Sequence, residues 1–431
     1  MRLTHFALLA CTALVLAGCN DTLETVERDV SHIKNKVDYP LSPSILAEID
    51  KKGMDRTSPI MIRIFKEEGA LEIWKAKRDN RFDKIAEYQI CAWSGKLGPK
   101  VKEGDRQAPE GFYNLTPAHL NPNSKYYLAI NTGFPNRYDA ANGRNGTNLM
   151  IHGACSSSGC YSMTDAQILE IYGFARDAFK GGQKTVQLQA FPFRMTAENM
   201  ARHRKSEHLE FWKMLKVGYD NFEVTKRPPE VNVCEKKYVF NQQAEGGGFN
   251  ASAQCPPMST PPALVSALSS YEKTYDLAYE KAMKKYEGMA WYDPSEAERK
   301  ALVAEKRKGR EPAYAPTGSA LKAGKLMKET EYAALMEKKA QQVTSSSPAT
   351  TATASALRGP RPSANQPATA PQSNPAPAAP TIVASATPAA GQTGAAAQSV
   401  PVPAMNPLAY SAAPAPEAPE KKPFWKFWAK E

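Results

Sequence analysis

The chain has 431 residues, with 55 Lys and Arg against 44 Asp and Glu, a formal net charge of +11. Its mean hydropathy of −0.50 excludes a polytopic membrane protein, and its length allows two or three domains at roughly 100–200 residues each. A basic excess ordinarily suits nucleic acid, an acidic membrane surface or an acidic polymer; the first twenty residues remove nucleic acid from that list, because they read as an export signal.

Arg2 supplies a short positive region, and residues 6–16 form an apolar stretch too short to span a bilayer of about 30 Å. The stretch ends in Leu16-Ala17-Gly18-Cys19, which resembles the bacterial lipobox. Residues 1–18 are therefore expected to be a signal peptide and Cys19 to carry the lipid. Asn20, rather than Asp, suits the outer membrane of a Gram-negative bacterium, with the remaining chain in the periplasm. Thiols tend to pair in that oxidising space. Cys91, Cys155, Cys160, Cys234 and Cys255 would remain there, an odd number. Cys234 and Cys255 flank Gly246-Gly247-Gly248 and are natural disulfide partners; closing that loop stabilises by about 3 kcal/mol in the chain-entropy treatment.

Residues 19–58 read as a polar lead-in between lipid and domain. Residues 59–225 read as one domain, strand-rich over 59–195. Ile60, Ile62 and Ile64 alternate with Met61, Arg63 and Phe65, and Glu67-Glu68-Gly69 turns the chain into Leu71-Glu72-Ile73-Trp74, a hairpin pattern. Further strands are expected at 85–90, 126–130, 149–152 and 186–190, with Pro, Gly and Asn clusters between them. Thr164-Asp165-Ala166-Gln167 is a capping box; Ile168, Leu169, Ile171, Tyr172 and Ala175 give the helix an apolar face, and Gly181-Gly182 stops it. Residues 196–225 read as helical from a capped start at Thr196. Residues 226–261 form an irregular connection that would hold the disulfide.

Residues 262–344 read as helical, with Tyr271, Tyr275, Tyr279, Ala282 and Tyr286 on one packing stripe. From 345 to 419 the chain is Ala/Pro-rich, with Arg358, Arg361 and Glu417 its only charges, and reads as a disordered linker. Residues 420–431 set Phe424, Trp425, Phe427 and Trp428 among lysines, a composition suited to a membrane interface or a docking peptide.

The chemistry sits in residues 150–165. His152 ends a predicted strand, a Gly-rich loop follows, and Cys160 precedes a helix cap. Gly153 permits a tight backbone path. A thiolate near a helix N-terminus is favoured by the dipole, backbone N–H groups near Gly159 and Cys160 could face a carbonyl oxygen, and His152 could act as base. The residues alone equally allow a core histidine and a small Cys155–Cys160 disulfide. No metal-ligand cluster and no phosphate-binding Gly-rich loop is evident, so no cofactor is expected.

His152-Gly153 followed by Ser157-Ser158-Gly159-Cys160 resembles the signature of the YkuD-type L,D-transpeptidases. Ala108-Pro109-Glu110-Gly111-Phe112-Tyr113 is similar to an upstream segment of the same domain. Leu120 to Tyr127, Phe134-Pro135-Asn136-Arg137-Tyr138-Asp139, Gly143-Arg144 and Phe191-Pro192-Phe193-Arg194 resemble the YafK-like branch, as do Ser158 in place of a His and the short His152–Cys160 spacing. The resemblance covers about residues 55–240.

It implies a mainly β fold with flanking helices, a YkuD-like β-sandwich catalytic domain, followed by C-terminal helices and the disordered tail. It implies that Cys160 attacks the third residue of a peptidoglycan stem peptide, with His152 as base. The N–H groups of Gly159 and Cys160 and the Ser158 hydroxyl would hold the oxyanion. Arg144 and Arg137 would bind stem carboxylates, with Asp139 orienting an arginine. The acceptor would be a diaminopimelate amine, a lysine of an envelope protein, or water. A cysteine hydrolase on the same scaffold and a non-catalytic wall-to-membrane tether are the alternatives.

Overall fold

The computed structural model describes residues 24–26, 29–155, 157, 159–307, 314–316 and 324–345. The stretch expected to be a signal peptide, Cys19, Ser158, the Ala/Pro-rich stretch and the aromatic tail lie outside the described residues.

Helix α1 (Pro43–Lys51) precedes strands β1 (Ile60–Phe65), β2 (Ala70–Ala76), β3 (Phe82–Gln89), β4 (Ala92–Trp93), β5 (Gly111–Leu115), β6 (Leu120–Asn121) and β7 (Ala129–Asn131). Then come α2 (Arg137–Ala141), β8 (Met150–His152), β9 (Tyr161–Ser162), α3 (Asp165–Lys180), β10 (Val186–Phe191), α4 (Ala197–Arg202) and α5 (Leu209–Thr225). One five-stranded sheet runs β3-β2-β1-β10-β5 and the other β4-β9-β8-β7-β6. Apolar residues of both sheets meet α3 and α5 in one core. This is a mainly β fold with flanking helices.

Strand β1 shows why the alternation settles into a strand buried on both faces. Ile62 and Ile64 face the common core. Met61 joins Phe222 of α5 in a second cluster, and Arg63 on the same side is buried under α5, bonded to Glu223 at 2.7 Å. Its guanidinium lies 4.4 Å from the Tyr219 ring centre and 4.7 Å from that of Phe222. Helix α5 thus covers a face that an exposed sheet would leave in water.

At the end of β1, Lys66 is fully buried beside Glu110, also fully buried, at 2.8 Å. The ammonium donates further to the carbonyls of Lys96, Gly98 and Ala108. Glu110 accepts from the Gly98 N–H at 2.7 Å and the Trp212 indole at 2.9 Å. Burial pushes the Lys66 pKa down, and the Glu110 charge opposes that shift.

Several expectations are corrected. The stretch read as a lead-in is docked: Glu24–Val26 pairs antiparallel with Tyr314–Pro316, Val30, Leu41, Ile49 and Met54 are in the core, and Arg176 of α3 donates to the Val37 and Tyr39 carbonyls at 2.8 and 2.7 Å. The strand expected at 126–130 starts only at Ala129, because Tyr127 takes a left-handed φ of 69°. The helix at 196–225 is two helices, broken at 203–208.

Beyond α5, β11 (Val231–Cys234) and β12 (Lys237–Phe240) form a hairpin, and Cys234 is joined to Cys255 by a disulfide. The C-terminal region is not wholly helical. Helix α6 (Pro262–Lys285) ends before Gly288, whose φ of 68° turns the chain into β13 (Met289–Tyr292). After α7 (Glu296–Arg307), β14 (Lys325–Lys328) pairs with β13, and α8 (Glu329–Ser345) follows. The tyrosine stripe of α6 packs on α4 and α5: Ala282 and Tyr286 close on Ala201, and the Lys216 ammonium sits 3.4 Å from the Tyr275 ring centre.

Replacing Lys66 with Met leaves the Glu110 charge buried without its partner. Urea denaturation should show a loss of about 3–5 kcal/mol for Lys66→Met, partly recovered in the double variant with Glu110→Gln.

Candidate active site

Strands β8 and β9 are parallel neighbours, with Ile151 opposite Tyr161 and His152 opposite Ser162. Extending that register puts Cys160 beside Met150. Side chains alternate along a strand, so Cys160 and His152 emerge on one face, two positions apart on adjacent strands, with Cα atoms roughly 8 Å apart.

His152 is buried, and its Nδ1 lies 2.6 Å from the Gly153 carbonyl. A carbonyl only accepts, so Nδ1 carries the hydrogen and Nε2 keeps its lone pair in the neutral ring. Burial pushes the His152 pKa below its ordinary 6.5, against the Gly153 bond that raises it. The ring is therefore neutral at pH 7. Tyr126, half exposed, covers it with ring centres 4.6 Å apart.

The turn after His152 is latched to the start of α3. Asp165 Oδ1 accepts from the Ala154 N–H at 2.8 Å. Met163 N–H donates to the His152 carbonyl, and the Cys155 N–H donates to the Met163 carbonyl. A Cβ on Gly153 would fall 2.3 Å from that Asp165 oxygen and 2.8 Å from the Tyr126 carbonyl, so no side chain fits there. Thr164 and Gln167 close the α3 capping box.

Cys160 is a free thiol, partly exposed. Its Sγ lies 3.7 Å from the Asn148 carbonyl. Two expectations change here. Strand β9 separates Cys160 from α3, so the helix dipole does not act directly on the sulfur. Burial pushes its thiol pKa above the ordinary 9.0, while a backbone bond from Met150 and the Lys100 charge lower it. The Cys160 N–H is also engaged, at 3.2 Å to Ser157 Oγ. The Ser157 hydroxyl donates to the Cys160 carbonyl at 2.7 Å, and Ser94 Oγ stands 2.9 Å from it. A hydroxyl three residues before the Cys folds this local ring readily. Ser94, Tyr126 and Lys100 were not singled out from the sequence; only the short spacing of Ser157 to Cys160 signalled its part. Gly159 holds a φ of 116°, and Leu149 stands 3.3 Å from where a Cβ would lie.

The substrate-binding candidates lie to one side. Asp139 is buried, closes the α2 capping box with Asn136, and accepts from Arg144 at 3.1 Å. Burial raises the Asp139 pKa, and Arg144 partly offsets it. The Arg144 guanidinium stacks on Tyr138 and Phe211, at 4.8 and 4.9 Å. Arg137 is exposed and donates to the Phe249 carbonyl at 2.7 Å. Among the described residues no group of His, Cys, Asp and Glu could hold a metal ion.

Comparison with known proteins places this geometry in context. The YkuD family, described as the L,D-transpeptidase catalytic domain, matches residues 66–187. YafK of Escherichia coli (strain K12), provisionally named an L,D-transpeptidase, is 49% identical over 185 residues, covering 43% of this chain and 75% of YafK. Among solved structures, the helical cell shape determining protein Pgp2 of Campylobacter jejuni is 18% identical, covering 44% of this chain and 79% of that one, with a TM-score of 0.25. Bd1075 of Bdellovibrio bacteriovorus is 20% identical, covering 55% and 75%, with a TM-score of 0.24.

A neutral thiol beside a neutral imidazole predicts a particular alkylation profile. The rate of Cys160 carbamidomethylation by iodoacetamide, followed by mass, should climb through the alkaline range with a midpoint above the usual thiol value. A flat rate from pH 6 upward would mean a preformed thiolate–imidazolium pair. Gly153→Ala should cost about 1–3 kcal/mol of stability in a thermal melt, from overpacking against Asp165.

Proposed function

The chain belongs to the YafK-like branch of the YkuD L,D-transpeptidases, and from that premise we propose that it is a peptidoglycan acyltransferase with Cys160 as nucleophile and His152 as base. The observation that supports this most is the register that sets both side chains on one face of adjacent parallel strands. The substrate would be a stem peptide, attacked at the carbonyl of its third residue.

The ground state holds S–H and a neutral ring, so proton transfer accompanies attack. The thiol proton passes to His152 Nε2 as sulfur bonds to the carbonyl carbon. The tetrahedral oxyanion is met by the Gly159 N–H, and by the Cys160 N–H once substrate displaces its long bond to Ser157. His152 then returns the proton to the leaving amine, giving a thioester. An acceptor amine, of diaminopimelate or of an envelope protein's lysine, attacks the thioester; His152 takes its proton and delivers it to the departing sulfur. Water in place of the amine gives hydrolysis by the same steps.

Arg144 and Arg137 are proposed to meet stem carboxylates, with Asp139 holding Arg144 in place. The signal peptide and Cys19 are proposed to carry the protein to the periplasm as a lipid-anchored protein, facing the wall from the outer membrane.

The test is incubation of the purified protein with defined muropeptides, followed by product mass analysis. Cys160→Ala should abolish product, and His152→Gln should slow it by about 10²–10⁴-fold, the usual worth of a positioned base. New cross-links identify transfer to an amine, and shortened stems identify transfer to water. Product that persists in Cys160→Ala would overturn the assignment.

A further inference from the structure

The C-terminal region builds a second cleft, of about 340 Å³, with β13 and α8 on one side and the loop after β4 and the α4–α5 connection on the other. That volume lies in the range of small-ligand sites. Tyr332 and Met336 of α8 and Trp291 of β13 give it an apolar wall, and Ser206, His208 and Lys96 stand across from them. The wall of β13 and α8 comes from residues outside the stretch that matches the YkuD family.

That wall is bolted to the catalytic domain. Asp293 accepts from the Leu97 N–H at 3.1 Å. Arg299 stacks on Trp93 of β4 at 4.2 Å, and Trp93 is paired with Tyr161, next to Cys160. Glu296 holds Arg106 at 2.7 Å, and the backbone of Arg106 and Gln107 lies within 4.0 Å of where a Gly159 Cβ would be. A cleft with both walls tied down is preorganised for a ligand.

The charges decide what kind of ligand. Arg202, Lys205 and Lys339 line the cleft, but each already holds a protein carboxylate: Glu67 at 2.7 Å, Glu329 at 2.5 Å and Glu298 at 2.9 Å. Three of the four lining Lys and Arg side chains are thus paired, and the fourth, Lys96, shares the cleft with Glu207 and Asp293, so an added anion gains little. What remains is aromatic and apolar surface ringed by hydrogen-bonding groups. A neutral pyranose matches that, with a C–H face for the ring and a rim of hydroxyls and amides.

Reach supplies the second argument. Leu97 is three residues from Ser94, at most about 10 Å of chain. Ser94 is 2.9 Å from Ser157 Oγ, which is 3.2 Å from the Cys160 N–H. Counted through, that path sets an upper bound of roughly 19 Å between Leu97 and the Cys160 N–H, and the three stem residues between a sugar and the attacked carbonyl span about 10 Å when extended, within that bound. We infer that this cleft is a subsite for an N-acetylated sugar of the glycan backbone, so that the enzyme grips the strand while Cys160 works on its stem. The inference rests on the peptidoglycan reading above.

The experiment uses the full chain carrying Cys160→Ala, so that nothing turns over. N,N′-diacetylchitobiose, a stem tripeptide without sugar, and inorganic phosphate are each titrated while tryptophan fluorescence is followed. The disaccharide should give a saturable change, with affinity at least tenfold weaker in Tyr332→Ala and in Met336→Lys, and neither tripeptide nor phosphate should displace it. Met336 is 43% exposed, so its replacement alters the cleft without emptying a core. No saturable binding, equal binding in both variants, or displacement by tripeptide or phosphate would overturn the subsite. Because the titration needs no catalysis, sugar binding that survives while muropeptide turnover by the native chain is absent would sink the acyltransferase reading and keep a sugar site.

Discussion

The buried pairing of Lys66 with Glu110 is the constraint on which the rest of the catalytic half depends. Taking either charge out of water costs several kcal/mol, and only dense hydrogen bonding offsets it. Here the ammonium has four acceptors, and the carboxylate has the Gly98 N–H and the Trp212 indole as further donors. Those partners come from the end of β1, the loop after β4, the start of β5 and helix α5. One ion pair therefore sets where four parts of the chain meet. The loop after β4 carries Ser94, and Ser94 reaches Ser157, which bonds to Cys160. The Tyr161 hydroxyl, one residue after Cys160, bonds to the Pro109 carbonyl next to Glu110. The position of the sulfur is thus inherited from a fully buried charge pair.

The electrostatics of the site follow from enclosure rather than from added charge. Both the thiol and the imidazole are pushed toward their neutral forms by the same cause, loss of water. A carbonyl bond fixes the imidazole tautomer, and a tyrosine face covers the ring. Such a pair holds no preformed thiolate, so under the proposed mechanism the proton leaves only as the sulfur attacks. That differs from cysteines at helix ends, whose thiolate exists beforehand.

Much of this was legible in the sequence, and the failures share a cause. Alternation in 60–65 and the turn at Glu67-Glu68-Gly69 gave β1 and β2, and Thr164 with Gln167 gave the start of α3, because those signals are local. His152 and Cys160 stood out by residue type and spacing. The state of the thiol did not, because it depends on a two-residue strand inserted between Cys160 and the helix. The lead-in looked polar because its buried residues, Val30, Leu41, Ile49 and Met54, are spaced irregularly and only a folded α3 gathers them. Arg144 read as a carboxylate-binding residue, but its place beside the stacked Tyr138 and Phe211 rings was not readable, because it joins segments nearly seventy residues apart in the chain. Long-range company is what local pattern does not carry.

The docking of residues 30–54 on α3 changes the length of the leash. A lead-in running unbound from 19 to 58 could extend to about 140 Å. With Glu24–Val26 paired to Tyr314–Pro316 and Val30 seated in the core, a lipid on Cys19 would leave at most about 18 Å of chain before the first docked strand. The enzyme would then patrol a thin shell beside its membrane, and the wall strands within its grasp would be those passing closest to the lipid surface.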